Sequence, residues 1–415
     1  MVNFLRKIDI ELFLVLFLLS GMFKSLFFSF YGNNSTSIPF TIIFGGLLVT
    51  MVLVKKEYSI KRFINEFTKH VFLILFFIWC FISTFYTSSE NYVWYKLVAL
   101  GTNLLAFYSV LIIKKINVKK FTLYFSFFLF FFSLFFFIIN PNSLSKNFPF
   151  HAYFNEVYIQ GWYLTLGQFL AANIFLVFYL KNHKRIIYLS LVSINLILLF
   201  AGRFPIIMGF FSLTILFIYV VINKKIDRKI LLQLIKSVVV ILFINGTFYL
   251  TSSNYKEILK RTVYRFEVLS SSTEIDFKEK DHQLSTKDNN YSYNKRLEYF
   301  IFSKEKIFKN SKSILLGYGF GSFSKEFSNE DKRLYPHNII LEIFFELGII
   351  GLMIVFGLVL ANIKIFKGYL TNFALLAAII LFLNAMKSSS IVDLRVLFAL
   401  YAISVFHFKE LKPKT

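Results

Sequence analysis

One short stretch near the end of the chain combines side chains that can move protons with an apolar run long enough to enter a membrane. His337 opens this run, and Asn338, Glu342 and Glu346 follow at i, i+4 and i+8, so the last three share one face of a helix. An ionisable group in hydrocarbon costs about 2.5–3.5 kcal/mol, so this face must meet water or protein partners. The stretch therefore predicts a functional site in which His337 handles a proton near neutral pH; alternatively, His337 only caps its own helix.

Arginines supply a second kind of chemistry, because a guanidinium is always charged and binds two phosphate oxygens at once. Arg203 lies between two apolar runs with almost no connecting loop, and Arg261, Arg265 and Arg296 lie in a long polar segment. Arg296 is favoured among these three because it starts a predicted surface helix. The arginines predict binding of a phosphate-like anion; the alternative for Arg203 is an anchor at the membrane boundary.

Other polar residues give less specific signals. His151 and His282 lie in predicted external segments, and we expect His282 to be an ordinary solvated residue. The glycine motif of residues 317–321 is superficially similar to a nucleotide-binding loop, but no strand–helix unit surrounds it, so we interpret it as a tight turn. No spacing of Cys, His and carboxylates predicts a metal site, and the single cysteine, Cys80, excludes a disulfide within the chain.

Membrane helices must position these residues. The chain has 415 residues, of which 57% are hydrophobic and 20% are aromatic, and its mean hydropathy is +0.63. Its apolar runs of ~17–25 residues match the thickness of a bilayer and do not alternate as barrel strands do. The sequence predicts an all-α polytopic membrane protein with about twelve transmembrane helices. The predicted spans lie near residues 10–31, 38–54, 71–87, 93–113, 121–139, 158–180, 186–202, 204–223, 230–251, 337–363, 369–386 and 395–408.

The net charge of +23 lies largely in alternate short connections, such as residues 55–69 and 114–120. By the positive-inside rule these connections and both termini are cytoplasmic, so the charge reflects topology beside anionic lipid rather than binding of nucleic acid. The long connection before the tenth span is then external. We divide the chain into spans one to nine (1–251), the large external loop (252–336) and spans ten to twelve (337–415).

The external loop has two parts with different composition. Residues Ser270–Tyr293 are rich in Ser, Thr, Asp, Asn and Lys and are predicted to be mobile. The following part predicts a helix that lies on the membrane surface or covers a cavity. Its apolar residues at helical spacing are Leu297, Phe300, Ile301, Ile307 and Phe308.

Taken in chain order, these motifs resemble those of the O-antigen ligase/polymerase superfamily. The matching positions are Arg203 after the seventh span, Asn294-Lys295-Arg296-Leu297-Glu298, Gly317-x-Gly319-x-Gly321 and His337-Asn338-x-x-Leu341-x-x-x-x-Glu346-x-Gly348-x-x-Gly351. The layout of twelve spans with a large loop before the tenth is similar too. Family members often carry Ser-Arg-Gly where this chain has Gly202-Arg203-Phe204.

The resemblance implies a GT-C-like fold and glycosyl transfer between undecaprenyl-diphosphate-linked glycans at the outer face of the cytoplasmic (inner) membrane. It implies that His337 orients or deprotonates the acceptor hydroxyl, and that Arg203 and Arg296 stabilise the departing diphosphate. No metal, cofactor or nucleotide is then required, and the partners are the lipid-linked donor and acceptor, membrane lipid and a chain-length regulator protein. The residues then expected to bind substrate are Arg265, Asn338, Glu342 and Glu346.

Within this superfamily the sequence favours a polymerase, which joins lipid-linked repeat units. Residues 387–395 resemble the polar last external loop of many polymerases. A ligase, which moves the finished glycan to lipid A-core, and another glycan transferase are alternatives. A polysaccharide or ion transporter without catalysis is a third, although the polar residues here lie at the outer boundary of the membrane rather than at its midplane.

Overall fold

A computed structural model describes residues 8–31, 39–139, 153–154, 157–158, 162–180, 182–200, 202–222, 287–361 and 372–410, with scattered positions between 236 and 260. In this part of the chain the regular elements are helices apart from one antiparallel pair, β1 (Tyr153–Phe154) with β2 (Val157–Tyr158). The predicted all-α class is therefore confirmed. The α-helices with described bounds are α1 (Ile10–Leu18), α2 (Ser20–Tyr31), α3 (Phe40–Val54), α4 (Ile60–Lys69), α5 (Val71–Ser83), α6 (Tyr92–Ile112), α7 (Val118–Ile139), α8 (Trp162–Leu176), α9 (His183–Leu199), α10 (Arg203–Ile222), α11 (Lys287–Ile307), α12 (Ser311–Leu316), α13 (Phe323–Ser328), α14 (Ile339–Ala361), α15 (Phe373–Ser388) and α16 (Arg395–Glu410).

The apolar helices are those of a membrane protein. Among the described residues, Tyr92–Ile112, Val118–Phe136 and Ile339–Ala361 are long and apolar enough to cross a bilayer, and the number rises from 3 to 5 if each of two bent helix pairs is one span. Shorter apolar helices, such as α3, lie at most of the other predicted positions. The ninth predicted span, near 230–251, lies mostly outside the described residues. The chain is thus a helical membrane protein, and the larger number of twelve spans stays a prediction.

One of the bent pairs contains a helix where the sequence predicted a basic loop. Residues Phe63–Lys69 of α4 meet α5 at an angle of 72°. Ile60, Ile64 and Phe67 are exposed along α4, while the ring of Phe63 contacts that of Tyr108, with 5.9 Å between ring centroids. A short helix with exposed apolar and charged side chains, set at a steep angle to the next helix, is suited to the membrane–water boundary.

The described helices form two compact units, each assembled from separated stretches of the chain. Residues of the first unit lie within Met1–Glu57, Lys115–Glu274 and Leu370–Leu381. Residues of the second unit lie within Tyr58–Lys114, Ile275–Tyr369 and Phe382–Thr415.

In the first unit, α7 shows how a phenylalanine-rich helix divides its faces. Its buried side chains recur at helical spacing, whereas Phe127 and Leu134 on the opposite side are exposed, as expected of a helix with one face toward protein. A buried hydrogen bond joins α7 to α8: the Ser126 hydroxyl donates to the side-chain amide oxygen of Asn173 (2.9 Å). The buried stripe of α7 consists of Phe121, Phe125, Leu129, Phe132 and Phe136.

In the second unit, α14 takes part in two apolar clusters. The first cluster packs α5 and α6 against α14 and includes Phe76, Val93 and Ile343. The second packs the segment that contains α11, α12 and α13 against α14 and includes Tyr299, Phe323 and Phe345. The two clusters together fix the first half of α14, where the candidate residues lie.

The segment that was predicted to be external contains the predicted helix, but the start and the buried face of this helix differ from the prediction. α11 begins at Lys287 rather than near Arg296, so residues 287–293 of the stretch predicted to be mobile are helical, and the rest of that stretch lies outside the described residues. Tyr299 and Ile307 are buried, whereas Phe300, Ile301 and Phe308 are exposed. Contacts with α13 and α14 draw the aromatic Tyr299 inward, which the apolar spacing alone did not reveal.

Candidate functional site

The helix α14 is interrupted at Gly348, where the backbone has φ 65° and ψ −166°. Such a break frees carbonyl groups that need new hydrogen-bond donors inside a membrane. The carbonyl of Phe345 accepts from the N–H of Tyr318 (2.9 Å), and that of Glu346 accepts from the N–H of Gly319 (2.9 Å). The carbonyl of Leu347 accepts from Nε1 of Trp79 (3.0 Å). These three carbonyl groups therefore accept hydrogen bonds from other parts of the same unit.

The glycine motif supplies the backbone that covers this break. Gly317, Gly319 and Gly321 have φ values of 74°, 92° and 82°, in the left-handed region that favours glycine. A Cβ on Gly317 would lie 2.5 Å from the carbonyl oxygen of Glu346, and one on Gly319 would lie 2.5 Å from Cα of Thr87. The motif is thus a tight turn in direct backbone contact with its neighbours, in agreement with the interpretation from the sequence.

Both glutamates of α14 are buried and bind a lysine that the sequence analysis overlooked. Nζ of Lys96, on α6, donates to Oε1 of Glu342 (2.5 Å) and to Oε1 and Oε2 of Glu346 (2.7 and 2.6 Å). All three side chains are buried, and the Lys96 ammonium also lies 4.9 Å from the centre of the Phe320 ring. We call Lys96, Glu342 and Glu346 the ion triad.

Every carboxylate oxygen of the ion triad accepts at least one hydrogen bond. Beyond Lys96, Glu346 accepts from the N–H of Gly321 (2.9 Å), and Glu342 accepts from the Ser390 hydroxyl (2.7 Å) and the N–H of Ile391 (3.0 Å). The polar face of α14 therefore contacts other protein groups. Water and protein partners were the two environments that the sequence allowed for this face. The structure gives Glu342 and Glu346 a role in joining α6, α14, the glycine turn and the segment before α16.

A signal for Lys96 was present in the sequence. Lys96 stands near the start of an apolar run, where its insertion costs as much as that of a glutamate. Two carboxylates on one span predict a cation on another, because buried charges are stable only when they are paired. Considering opposite charges in different spans together would have identified this pair.

Asn338 and His337 have different roles at the start of α14. The side-chain oxygen of Asn338 accepts a hydrogen bond from the N–H of Leu341 (3.0 Å), as a helix cap does. His337 precedes the cap and has φ 57°, in the left-handed region that a non-glycine residue rarely adopts. Such strained residues cluster at functional sites. The capping role that was the alternative for His337 thus belongs to Asn338.

The imidazole of His337 lies among aromatic rings and close to an arginine. Its ring lies 4.6 Å from that of Tyr335 and is stacked at 6.0 Å on that of Tyr299, one turn beyond Arg296 on α11. Burial, together with the positive charge of Arg296, lowers the pKa of His337 to about 4, although the Ser388 backbone opposes this shift. Nδ1 is buried and has no hydrogen-bond partner among the described residues. The structure therefore brings His337 and Arg296 together, with the imidazole neutral at pH 7.

Arg203 is the first residue of α10 and belongs to the first unit. Pro205 lies in the first turn of α10. Proline is tolerated there because the backbone N–H groups of a first turn have no partner within the helix. A Cβ on Gly202 would lie 3.2 Å from Cγ of Pro205, and one on Gly167 would lie 2.8 Å from Cβ of Pro205. The turn around Gly202-Arg203-Phe204 is thus closely packed. Arg261, Arg265, His151 and His282 lie outside the described residues.

In sequence comparisons, no protein-family model matches the chain, and no curated protein matches it. The assignment of a function therefore depends on the chemistry of the site and on the resemblance of the motifs.

Proposed function

We propose that this protein is a surface-polysaccharide polymerase that transfers glycans between undecaprenyl-diphosphate-linked repeat units. The observation that carries the proposal is His337, whose backbone is strained and whose neutral imidazole is held beside Arg296 at the start of a membrane helix, with no hydrogen-bond partner for Nδ1 in the part of the chain that the structure describes. Its position in the motif shared with the O-antigen ligase/polymerase superfamily supports the same function.

In the proposed reaction, the acceptor hydroxyl attacks the anomeric carbon of the donor sugar. The new C–O bond forms while the bond to the diphosphate breaks, and the lipid diphosphate leaves with the electron pair. His337 takes the hydroxyl proton, which requires a neutral imidazole. Arg296 offers fixed positive charge to the leaving diphosphate. The roles expected of Arg203 and Arg265 stay predictions. Glu342 and Glu346 hold α14 against α6 through Lys96, and Asn338 fixes the start of α14.

The proposal includes the location of the reaction. We propose twelve spans in a GT-C-like arrangement in the cytoplasmic membrane, with both termini inside the cell. His337 then faces the exterior, where lipid-linked repeat units are joined. The partners are the two lipid-linked glycans, membrane lipid and a chain-length regulator.

One observation favours a second candidate function, transport of an ion or a polysaccharide. Transporter sites often combine broken membrane helices with buried charges, and α14 has a break at Gly348 next to the ion triad. The two functions differ in what the purified protein does, since a transporter forms no new glycosidic bond.

A reconstituted assay tests the proposal. The purified protein in nanodiscs is incubated with lipid-linked repeat units, and we expect a ladder of longer glycans. His337→Asn should abolish the ladder while retaining the fold, because asparagine tolerates the left-handed backbone better than most residues do. Arg296→Lys should slow transfer strongly, since an ammonium cannot bind two phosphate oxygens as a guanidinium does.

The matched control is Lys304→Ala, an exposed cation two turns further along α11, which should leave the ladder unchanged. A ladder that survives His337→Asn excludes the proposed base. Transfer of glycan to lipid A-core without chain extension would identify a ligase instead. If no glycan forms with any lipid-linked substrate, the transport alternative is favoured.

A further inference from the structure

Three segments of the second unit meet beside His337. The Asp331 carboxylate accepts hydrogen bonds from the Ser89 hydroxyl (2.6 Å) and from the N–H groups of Asn91 (2.6 Å) and Tyr92 (3.3 Å). Partial burial opposes ionisation, but these hydrogen bonds hold the pKa of Asp331 below its ordinary value. Asp331 therefore fixes the segment that leads to His337 against the start of α6.

An ion pair joins this segment to the last connection of the chain. The Arg333 guanidinium donates to both carboxylate oxygens of Asp393, at 2.7 and 2.8 Å. The side chains are 47% and 38% exposed, respectively, so the pair lies at the surface. An exposed pair of this kind contributes only about 0–1 kcal/mol to stability, so a stabilising role alone does not account for it.

Tyrosines interact electrostatically with this pair, and one of them, Tyr335, also contacts the proposed base. Asp393 is the main cause of the raised pKa of Arg333, and Tyr335 and Tyr95 act in the same direction. Tyr95 is 56% exposed and stacks on Tyr92 with 6.0 Å between ring centroids. Tyr335 in turn lies 4.6 Å from His337. We call Tyr95, Arg333, Tyr335 and Asp393 the acceptor surface.

These side chains match the two kinds of surface that a sugar presents. A tyrosine ring packs against the apolar C–H face of a pyranose, and a guanidinium and a carboxylate form directional hydrogen bonds with neighbouring hydroxyls. The Tyr92 hydroxyl and Nδ1 of His337 are also buried without hydrogen-bond partners among the described residues.

We propose that the acceptor surface binds the terminal sugars of the acceptor glycan and directs one hydroxyl to His337. This inference rests on the proposed function, because it names the substrate of the same site. Within the acceptor surface, the Arg333–Asp393 pair carries no net charge, so a ligand rich in hydroxyls suits it better than a free anion does. The diphosphate of the donor is expected at Arg296.

The experiment uses a glycan that can bind but cannot act as a donor. The probe is one repeat unit released from its lipid carrier by mild acid, which carries neither lipid nor diphosphate. Its binding to full-length His337→Asn protein in nanodiscs is measured by saturation-transfer NMR and by calorimetry. We expect Tyr95→Ala and Asp393→Asn, each added to that background, to weaken binding at least tenfold.

Two control variants carry the same kinds of change outside the acceptor surface. Trp94→Ala removes an aromatic ring of similar exposure, 54%, from the neighbouring face of α6, and Lys304→Ala removes an exposed cation from α11. Both should bind the probe as the parent protein does. Equal binding by all the variants, or no binding by the parent, overturns the inference.

Parallel polymerisation assays keep the two proposals separate. If the natural protein extends glycans and Tyr95→Ala and Asp393→Asn leave the apparent KM for the acceptor unchanged, the acceptor surface is wrong but the polymerase stands. If the probe binds in a Tyr95-dependent way but no glycan is extended, the surface stands and the polymerase is wrong.

Discussion

His337 shows how burial beside a cation keeps a histidine uncharged. Burial is the larger cause of its low pKa of about 4, and the nearby positive charge of Arg296 acts in the same direction. A neutral imidazole can accept a proton, and in the proposed reaction Arg296 also stabilises the leaving diphosphate. One arginine thus serves both steps of the proposed reaction.

The pH dependence of glycan extension follows from this pairing. In the natural protein, the acid side of the profile should fall as the pH drops through about 4, where His337 gains a proton. Arg296→Gln removes the nearby charge, so the pKa of His337 should rise toward its ordinary value and the acid side should move to higher pH. The measurement is residual turnover from about pH 3 to 8, with Lys304→Gln as the control. An identical profile in Arg296→Gln would contradict the coupling.

At this scale the sequence drew attention to these residues but could not assign each one a role. Polar residues that open an apolar run are costly, so His337, Asn338 and the two glutamates were conspicuous. Which of them caps the helix depends on the local backbone, and in the structure Asn338 is the cap. The partner of the glutamates, Lys96, lies on another helix, and one-dimensional spacing does not show which helices meet.

At the scale of elements, the interruption of α14 and the glycine turn form one structure. Each glycine of the turn occupies a backbone conformation that other residues avoid, and Gly348 does the same within the helix. In the sequence, Gly348 is only one position of the motif that begins at His337. In the structure it interrupts α14, and two of the freed carbonyls accept hydrogen bonds from the glycine turn, so the two glycine motifs depend on each other.

Gly348→Ala tests this dependence. A Cβ at this position would lie 2.3 Å from the carbonyl oxygen of Leu315, and the backbone φ is left-handed, so we expect a loss of at least about 2 kcal/mol. Gly101→Ala is the control, because no atom lies within 4 Å of its added Cβ and the change should stabilise α6 by up to about 1 kcal/mol. Thermal unfolding in detergent measures both. Equal stability of the two variants would show that Gly348 is not restrained as described.

The short helix α4 illustrates a limit of prediction from hydropathy. Its charged residues place it among the basic connections, and its length is too small for a span. The spacing of Ile60, Ile64 and Phe67 was present in the sequence, but a stripe of three residues is difficult to distinguish from chance. Long apolar runs were therefore predicted well, and boundary helices were not.

At the scale of the whole molecule, the ion triad connects parts of the chain that are far apart in sequence. Lys96 comes from the first quarter of the chain, the glutamates from α14, and Ser390 and Ile391 from just before the last helix. All are buried, so the strength of these contacts is only weakly reduced by salt.

Removing Lys96 should therefore destabilise the protein more than removing any surface lysine. Lys96→Met leaves two buried carboxylates without their cation, which is expected to cost about 3–5 kcal/mol. Adding Glu342→Gln and Glu346→Gln should recover part of this loss, because no unpaired charge then remains. Lys332→Met, which removes one partner of an exposed pair with Glu330, should change stability by less than about 1 kcal/mol. Thermal unfolding that ranks Lys332→Met with Lys96→Met would contradict this account.

The predicted orientation can be tested because the chain has one cysteine and that cysteine, Cys80, is buried. Ser271→Cys should react with a membrane-impermeant maleimide in intact spheroplasts, since the long loop is predicted to be external. Thr415→Cys should react only after lysis, because both termini are predicted to be cytoplasmic. The natural chain is the background control. Labelling in the opposite order would invert the proposed topology and place His337 on the wrong side for lipid-linked repeat units.

The distance in sequence between Lys96 and Glu342, 246 residues, also has a consequence for biosynthesis. A ribosome that adds about 5–20 residues per second makes Lys96 roughly 12–50 s before this glutamate. During that interval the nascent chain carries a lone ammonium, with an insertion cost of about 2.5–3.5 kcal/mol. Because Ile391 also donates to Glu342, the centre of the second unit can close only after Ile391 has been synthesised.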